Sequence, residues 1–138
     1  MIGDYNFELY LVTRAYQTRH GNGPMTNDNR LNIDPGPEEN NKDGGYQGAF
    51  RISTLDLDLL RYAILSDDHI RTHNRTLVIT CLDHVVDKWT YTCDGVHHSF
   101  GDEDNFVGHI AELLNVQKVI RIRSPKTEDV LDFETERA

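Results

Sequence analysis

Hydrophobic and polar positions along the 138 residues alternate between short apolar runs and long polar stretches. Phe7 to Tyr16 reads as a strand, opening on "FELYLV" and rich in Tyr, Leu, Val and Thr. Its nearly continuous apolar run predicts burial on both faces. "TLVITCL", Thr76 to Leu82, is apolar throughout and predicts the centre of a sheet. "KWTYTCD" alternates, with Trp89, Tyr91 and Cys93 on one face and Thr90 and Thr92 on the other, and Asp94-Gly95 supplies a turn. "KVIRIRS", Lys118 to Ser124, is the last strand, stopped by Pro125.

Two segments carry helical spacing instead. From Ser53, Leu55, Leu59, Tyr62 and Ala63 fall on one stripe, widened by Leu60 and Ile64. "STLD" resembles a capping box with Asp56 as its acid, and the helix is expected to end by Asn74. "DEDNFVGHIAELLN" predicts a second helix, with Phe106, Ile110, Leu113 and Leu114 inward and acids at its start. Strands alternating with helices imply an α/β fold: a small sheet of about four strands, two main helices and one long loop.

That loop is Gly21 to Gly48, which holds most of the prolines, many asparagines and a cluster of glycines, with no helical or strand period. Its acidic, polar middle suits solvent. Its glycine-rich ends suit tight turns or close approach to a ligand. Residues 1–125 read as one domain and 126–138 as a charged tail.

Composition narrows the function. The formal net charge is -9, with 14 Lys plus Arg against 23 Asp plus Glu. Such a chain is repelled by nucleic acid and anionic lipid, so neither is an expected partner. No apolar run is long enough for a transmembrane helix, and the start shows no secretory signal. The two cysteines are therefore expected as free thiols in the cytoplasm.

Three constellations offer chemistry. Arg14 and Arg19 follow the first strand, Arg51 follows "GGYQGAF", and Arg121 and Arg123 alternate on the last strand. Guanidinium forks and glycine-freed backbone N–H groups suit phosphates and carboxylates. From spacing alone the bland reading leads, surface arginines pairing with abundant acids. Asp83 ends "TCLD", where a carboxylate can accept two hydrogen bonds from a planar edge such as guanine, or simply face solvent. Cys81 and His84 with Cys93 and His97 offer two thiols and two imidazoles, near zinc arithmetic but without a CxxC pair. No metal site is expected, no GxxxxGK[ST] loop is present, and no nucleophile with a matched base can be read.

Taken in order, "RAYQTRHGNGPMT", "GGYQGAFRISTLDLDLLRYAI", "LVITCLD" and "IAELLNVQKVIRIRSP" resemble the C-terminal part of adenylosuccinate synthetase, across roughly Leu9 to Pro125. That family has an A-Y-x-T-R-x-G-x-G-P segment, an arginine-rich substrate loop running into a helix, and a T-x-L-D strand end. It joins L-aspartate to IMP using GTP and magnesium. The resemblance implies a purine-nucleotide-binding domain. Arg19, Gly21, Gly23 and Arg51 would lie on the substrate side, with Arg51 as the last arginine of the aspartate-binding loop. Asp83 would read the guanine of GTP, with Arg123 and Ser124 beside it. The family's phosphate loop, catalytic residues and magnesium ligands lie in an N-terminal half with no counterpart in these motifs. The resemblance thus implies no catalytic residue here. GTP and magnesium would serve only when a second chain supplies that half. The alternative is a non-catalytic module that binds a purine nucleotide or a partner protein, such as a synthetase subunit, as a regulator or inhibitor. Self-association is the other partner expected besides a chain that supplies the phosphate loop. Departures also stand out: Gly48, Ala49 and Phe50 precede Arg51, and Cys81 replaces a lysine common in that strand end.

Overall fold

The structure, a computed structural model, describes residues 7–27, 31–37, 40–41, 43–126 and 134–136. In chain order its elements are β1 (Leu9–Arg14), β2 (Gln17–His20), β3 (Phe50–Ser53), β4 (Leu55–Asp56), α1 (Leu57–Leu65) and α2 (Asp68–Thr72). Then come β5 (Arg75–Thr80), β6 (Trp89–Cys93), β7 (Val96–Phe100), α3 (Glu103–Leu113), β8 (Lys118–Arg121) and β9 (Glu134–Glu136). The fold is α/β. Where one sheet of about four strands is expected, the described residues form three small sheets, β1-β5-β8-β9, β2-β3 and β4-β6-β7. The expected strand at Trp89 is β6 of the last, and β9, from the expected charged tail, takes the fourth place in the main sheet.

β1, β5 and β8 run parallel and in sequence order, and β9 joins antiparallel. Leu77 and Ile79 of β5 and Val119 of β8 share one face and are almost wholly buried. Phe106, Val107 and Ile110 of α3, Leu57 of α1 and Tyr91 of β6 complete that core. β5 is an interior strand of the sheet, as expected, since its neighbours on both sides remove it from water.

β1 corrects the expectation of burial on both faces. It is an edge strand, and Tyr10 and Val12 are 52% and 68% exposed while Leu11 turns toward the core. An apolar run alone does not distinguish a central strand from an edge strand whose outer face is also apolar. The expected strand to Tyr16 is also split: β1 stops at Arg14, Ala15 and Tyr16 are buried, and the chain re-enters a strand at Gln17.

The first helix starts later than the capping-box reading placed it. Ser53 and Leu55 belong to strands, and Asp56 is the cap, its Oδ1 accepting from the Leu59 N–H at 3.1 Å. The helical stretch is broken at Ser66, and Asp67 caps a separate α2 by accepting from the His69 and Ile70 N–H groups. The hairpin at Asp94-Gly95 is as expected, with φ of 51° and 71°, but its second strand β7 went unread. In α3, Leu113 is half-exposed, and Val107 and Ala111 take the inward places.

A buried arginine ties these pieces together. Arg75, 7% exposed, donates to the carbonyls of Ile70, Arg71, Leu114 and Asn115. These carbonyls belong to the C-terminal turns of α2 and α3, whose oxygens have no helical donor of their own. Among the described residues, no helix is long and apolar enough to cross a membrane.

Candidate functional site

The carboxyl ends of β1, β5 and β8 open on a cleft of about 700 Å³. Arg14, Thr80, Cys81, Asp83, Ile122 and Ser124 line it from the sheet side. Pro35, Gly36, Pro37, Asn40 and Asn41 of the long loop line the other side. The position follows from parallel strands, whose carboxyl ends leave room between the chain and its crossovers.

The loop's middle faces solvent as expected at Asn32, Asp34, Gly36, Pro37 and Asn40. It is also tied to the cleft: the Asp34 N–H donates to the His84 carbonyl at 2.8 Å, and Ile33 bridges Val85. Its ends close on each other, with the Gly21 N–H donating to the Ala49 carbonyl at 3.0 Å. Gly21 and Gly48, both at φ 77°, make that approach possible. A Cβ on Gly48 would lie 3.2 Å from the Gly21 Cα.

The floor of the cleft is a connected polar chain. The Arg14 Nη1 donates to the Tyr16 Oη at 3.1 Å, and that hydroxyl lies 2.7 Å from the His84 Nδ1. The His84 Nε2 is 3.9 Å from the Asp83 Oδ2. Burial pushes the Tyr16 hydroxyl up to about 12, against the lowering pull of Arg14. The phenol therefore keeps its proton and has one to give to Nδ1, which favours the His84 tautomer carrying hydrogen on Nε2, beside Asp83. Asp83 is exposed and keeps carboxylate lone pairs for a ligand.

Cys81 turns the chain into this floor. It adopts a left-handed conformation, φ 59° and ψ 29°, between β5 and the short 3-10 turn Leu82–His84. A side chain other than glycine pays about 1 kcal/mol for that geometry. The turn places Asp83 and His84 at the cleft rather than continuing the strand. No sequence signal marked Tyr16 and His84 as partners, since they are 68 residues apart.

The residues that the resemblance puts on the substrate side gather elsewhere, around the β2-β3 hairpin. Arg19 and Arg51 are opposite one another in the ladder. The Arg51 Nη2 donates to the Gly23 carbonyl, and the Arg19 guanidinium lies over Gly23. A Cβ at Gly23 would fall 1.7 Å from the Arg19 Nη2, so this glycine gives the arginine its place. Neither arginine pairs with a carboxylate among the described residues. Thus Arg19, Gly21, Gly23 and Arg51 are brought together, and so are Asp83 and Ser124.

Arg123 is not with them. Its Nε donates to the Glu103 Oε2 at 3.2 Å, and Arg121 donates to Glu103 and Asp104, all at the start of α3. Arg121 holds the Asp104 carboxyl below its usual range. The shared face predicted for these two arginines thus meets a helix N-terminus rather than the Asp83 cleft.

The two-thiol, two-imidazole set does not assemble either. The described residues bring Cys93 together with Asp58 and Asp94 as donors, all within 4.8 Å, while Cys81 and His84 belong to the cleft. A guanidinium already serves the first group: Arg61 reaches the Cys93 Sγ at 3.2 Å and the Asp94 Oδ1 at 3.5 Å. The backbone N–H groups of Asp94 and Gly95 hold the Asp58 carboxyl low, and burial pushes the Cys93 thiol up. The group is a lock between α1 and the β6-β7 hairpin. No protein-family model matches the chain, and no curated protein matches it.

Proposed function

We propose that this chain is a purine-nucleotide-binding domain. The observation that carries the reading is the shared lining of one cleft: Asp83 and Ser124 with the cations Arg14 and Lys126, at the carboxyl ends of three parallel strands. Its volume of about 700 Å³ falls in the range of small-molecule sites. Asp83 would accept from the N1–H and 2-amino group of guanine, and the cations would meet anionic groups. The Arg19-Arg51 pair would hold a second anion, a carboxylate or phosphate of a co-substrate. The free thiols of Cys81 and Cys93 suit the cytoplasm.

The resemblance to adenylosuccinate synthetase supports this assignment and extends it. With a chain that supplies a phosphate loop, magnesium ligands and a general base, the domain would take part in GTP-dependent ligation of aspartate to IMP or a related purine nucleotide. By itself it binds without catalysing.

Calorimetry against GTP, IMP and aspartate tests the reading. Micromolar GTP binding that Asp83→Asn abolishes supports it, and heat-silent titrations with all three ligands defeat it. Mixing with a phosphate-loop chain and assaying GTP-dependent aspartate ligation tests the extension. A regulatory, protein-binding role is the second reading, favoured by the exposed Tyr10 and Val12 of β1.

A further inference from the structure

His84 meets the Asp83 cleft with one ring nitrogen engaged and the other left over. Nδ1 stands 2.7 Å from the Tyr16 Oη, which also accepts from Arg14. With a guanidinium hydrogen on that oxygen and the phenol proton retained by burial, the hydroxyl is the donor of the pair. The Cys81 thiol also lies against it, but sulfur is a weaker acceptor than an imidazole nitrogen. The hydrogen of the neutral ring therefore sits on Nε2, and protonating the ring leaves it there. Among the described residues that hydrogen has no acceptor at hydrogen-bond distance, the Asp83 Oδ2 standing 3.9 Å away. The side chain lines the cleft and is only 14% exposed, so little water is left to serve the donor. Backbone bonds on both sides fix its base: the Leu82 N–H donates to the Ile122 carbonyl, the His84 N–H to the Cys81 carbonyl and the Asp34 N–H to the His84 carbonyl.

A carboxylate with a fixed donor at its side is complementary to three atoms in a row. The guanine edge presents a 2-amino donor, an N1–H donor and the O6 acceptor, in that order. The two Asp83 oxygens suit the first two, and the His84 Nε2–H suits the third. Hypoxanthine keeps N1–H and O6 and lacks the 2-amino group. Adenine offers one donor and one acceptor on this edge, so one carboxylate oxygen would be desolvated without a partner.

We propose that His84 is a specificity-determining residue of the cleft, its Nε2–H donating to the O6 of a guanine whose other two edge groups donate to Asp83. This assignment rests on the reading of Asp83 as the guanine-binding carboxylate. Tyr16 acts behind His84 as a positioning residue, by fixing where the imidazole hydrogen sits. Calorimetry with GTP, ITP and 6-thio-GTP separates the two contacts. 6-thio-GTP keeps both donors that Asp83 would accept and replaces O6 by sulfur, a weak acceptor. Wild type is expected to bind GTP about fivefold more tightly than 6-thio-GTP. His84→Phe is expected to lose that preference and to keep the preference for GTP over ITP. Tyr16→Phe lets the imidazole exchange tautomers and is expected to shrink the GTP preference over 6-thio-GTP. Proton–nitrogen correlation spectra read the tautomer without any ligand: hydrogen on Nε2 of neutral His84 in wild type, a mixture in Tyr16→Phe. Circular dichroism melts confirm that both variants fold. Equal affinity of wild type for GTP and 6-thio-GTP, a preference that survives His84→Phe, or hydrogen on Nδ1 in wild type overturns the proposal. If GTP still outbinds ITP in that event, Asp83 keeps its role and His84 alone is removed; a wild type that binds no GTP removes both.

Discussion

Two pairs of arginines in this protein have the same composition and opposite surroundings. Arg121 and Arg123, at the end of β8, point at the first turn of α3 and are held by Glu103 and Asp104. Arg19 and Arg51, opposite each other on the β2-β3 hairpin, have backbone and glycine for neighbours and no described carboxylate. The acids beside the first pair also suit the positive end of a helix dipole, so they are stabilised twice. The second pair keeps its charge available, although the chain holds 23 acids. In an acidic protein the arginine left without an acid is the one to suspect of binding.

The largest expected effect belongs to the locked pair. Arg121→Ala strips a side chain that is 9% exposed and leaves the mostly buried Glu103 short of its nearest buried cation. A loss of about 3 kcal/mol in denaturant unfolding is expected. Arg51→Ala should cost well under 1 kcal/mol of stability, because the group it leaves behind is one glycine carbonyl at a partly open surface. Equal destabilisation by the two variants would erase the distinction between them. In ligand titrations the order reverses: Arg51→Ala is expected to weaken an anionic co-substrate at least tenfold, about 1.4 kcal/mol.

Gly23→Ala sharpens the comparison with a smaller change. The new methyl group collides only with the end of the flexible Arg19 side chain, which can swing aside. The melting temperature should hardly move, and co-substrate affinity should fall severalfold. An unchanged affinity would remove Arg19 from the site.

The smallest effect is electrostatic. Asp104 and Asp58 have folded pKa values below the ordinary 3.8, through Arg121 and through the backbone N–H groups of Asp94 and Gly95 respectively. Their contribution to stability is therefore complete well above pH 3.8 and is lost as the pH falls through the folded values. Acid titration of the unfolding midpoint should show this loss, and Asp104→Asn should reduce its slope. The part due to exposed Asp104 is expected to be modest.

How much the sequence disclosed can be read from the same residues. The alternation and turn chemistry of "KWTYTCDG" located β6 and its hairpin, because both signals are local. "TLVITCL" located the interior strand, for the same reason. The sequence does not mark β7, because three of the five residues of "VHHSF" are histidine or serine and it carries no clear apolar alternation. The arginine pairs were illegible because their partners are distant in sequence: Glu103 lies 20 residues before Arg123, and Gly23 lies 28 before Arg51. Asp83 was legible as a strand-end carboxylate. The relay behind it, from Arg14 through Tyr16 to His84, was not, since it needs the left-handed turn at Cys81 to close.

The account rests on Asp83 reading a guanine edge, and one titration tests that most directly. GTP and ITP differ only in the 2-amino group, whose N–H would donate to the Asp83 carboxylate. Calorimetry of wild type and Asp83→Asn against both should show GTP bound at least tenfold more tightly than ITP by wild type, with the preference gone in the variant. Equal affinity of wild type for the two nucleotides, or a GTP preference that survives Asp83→Asn, would contradict it.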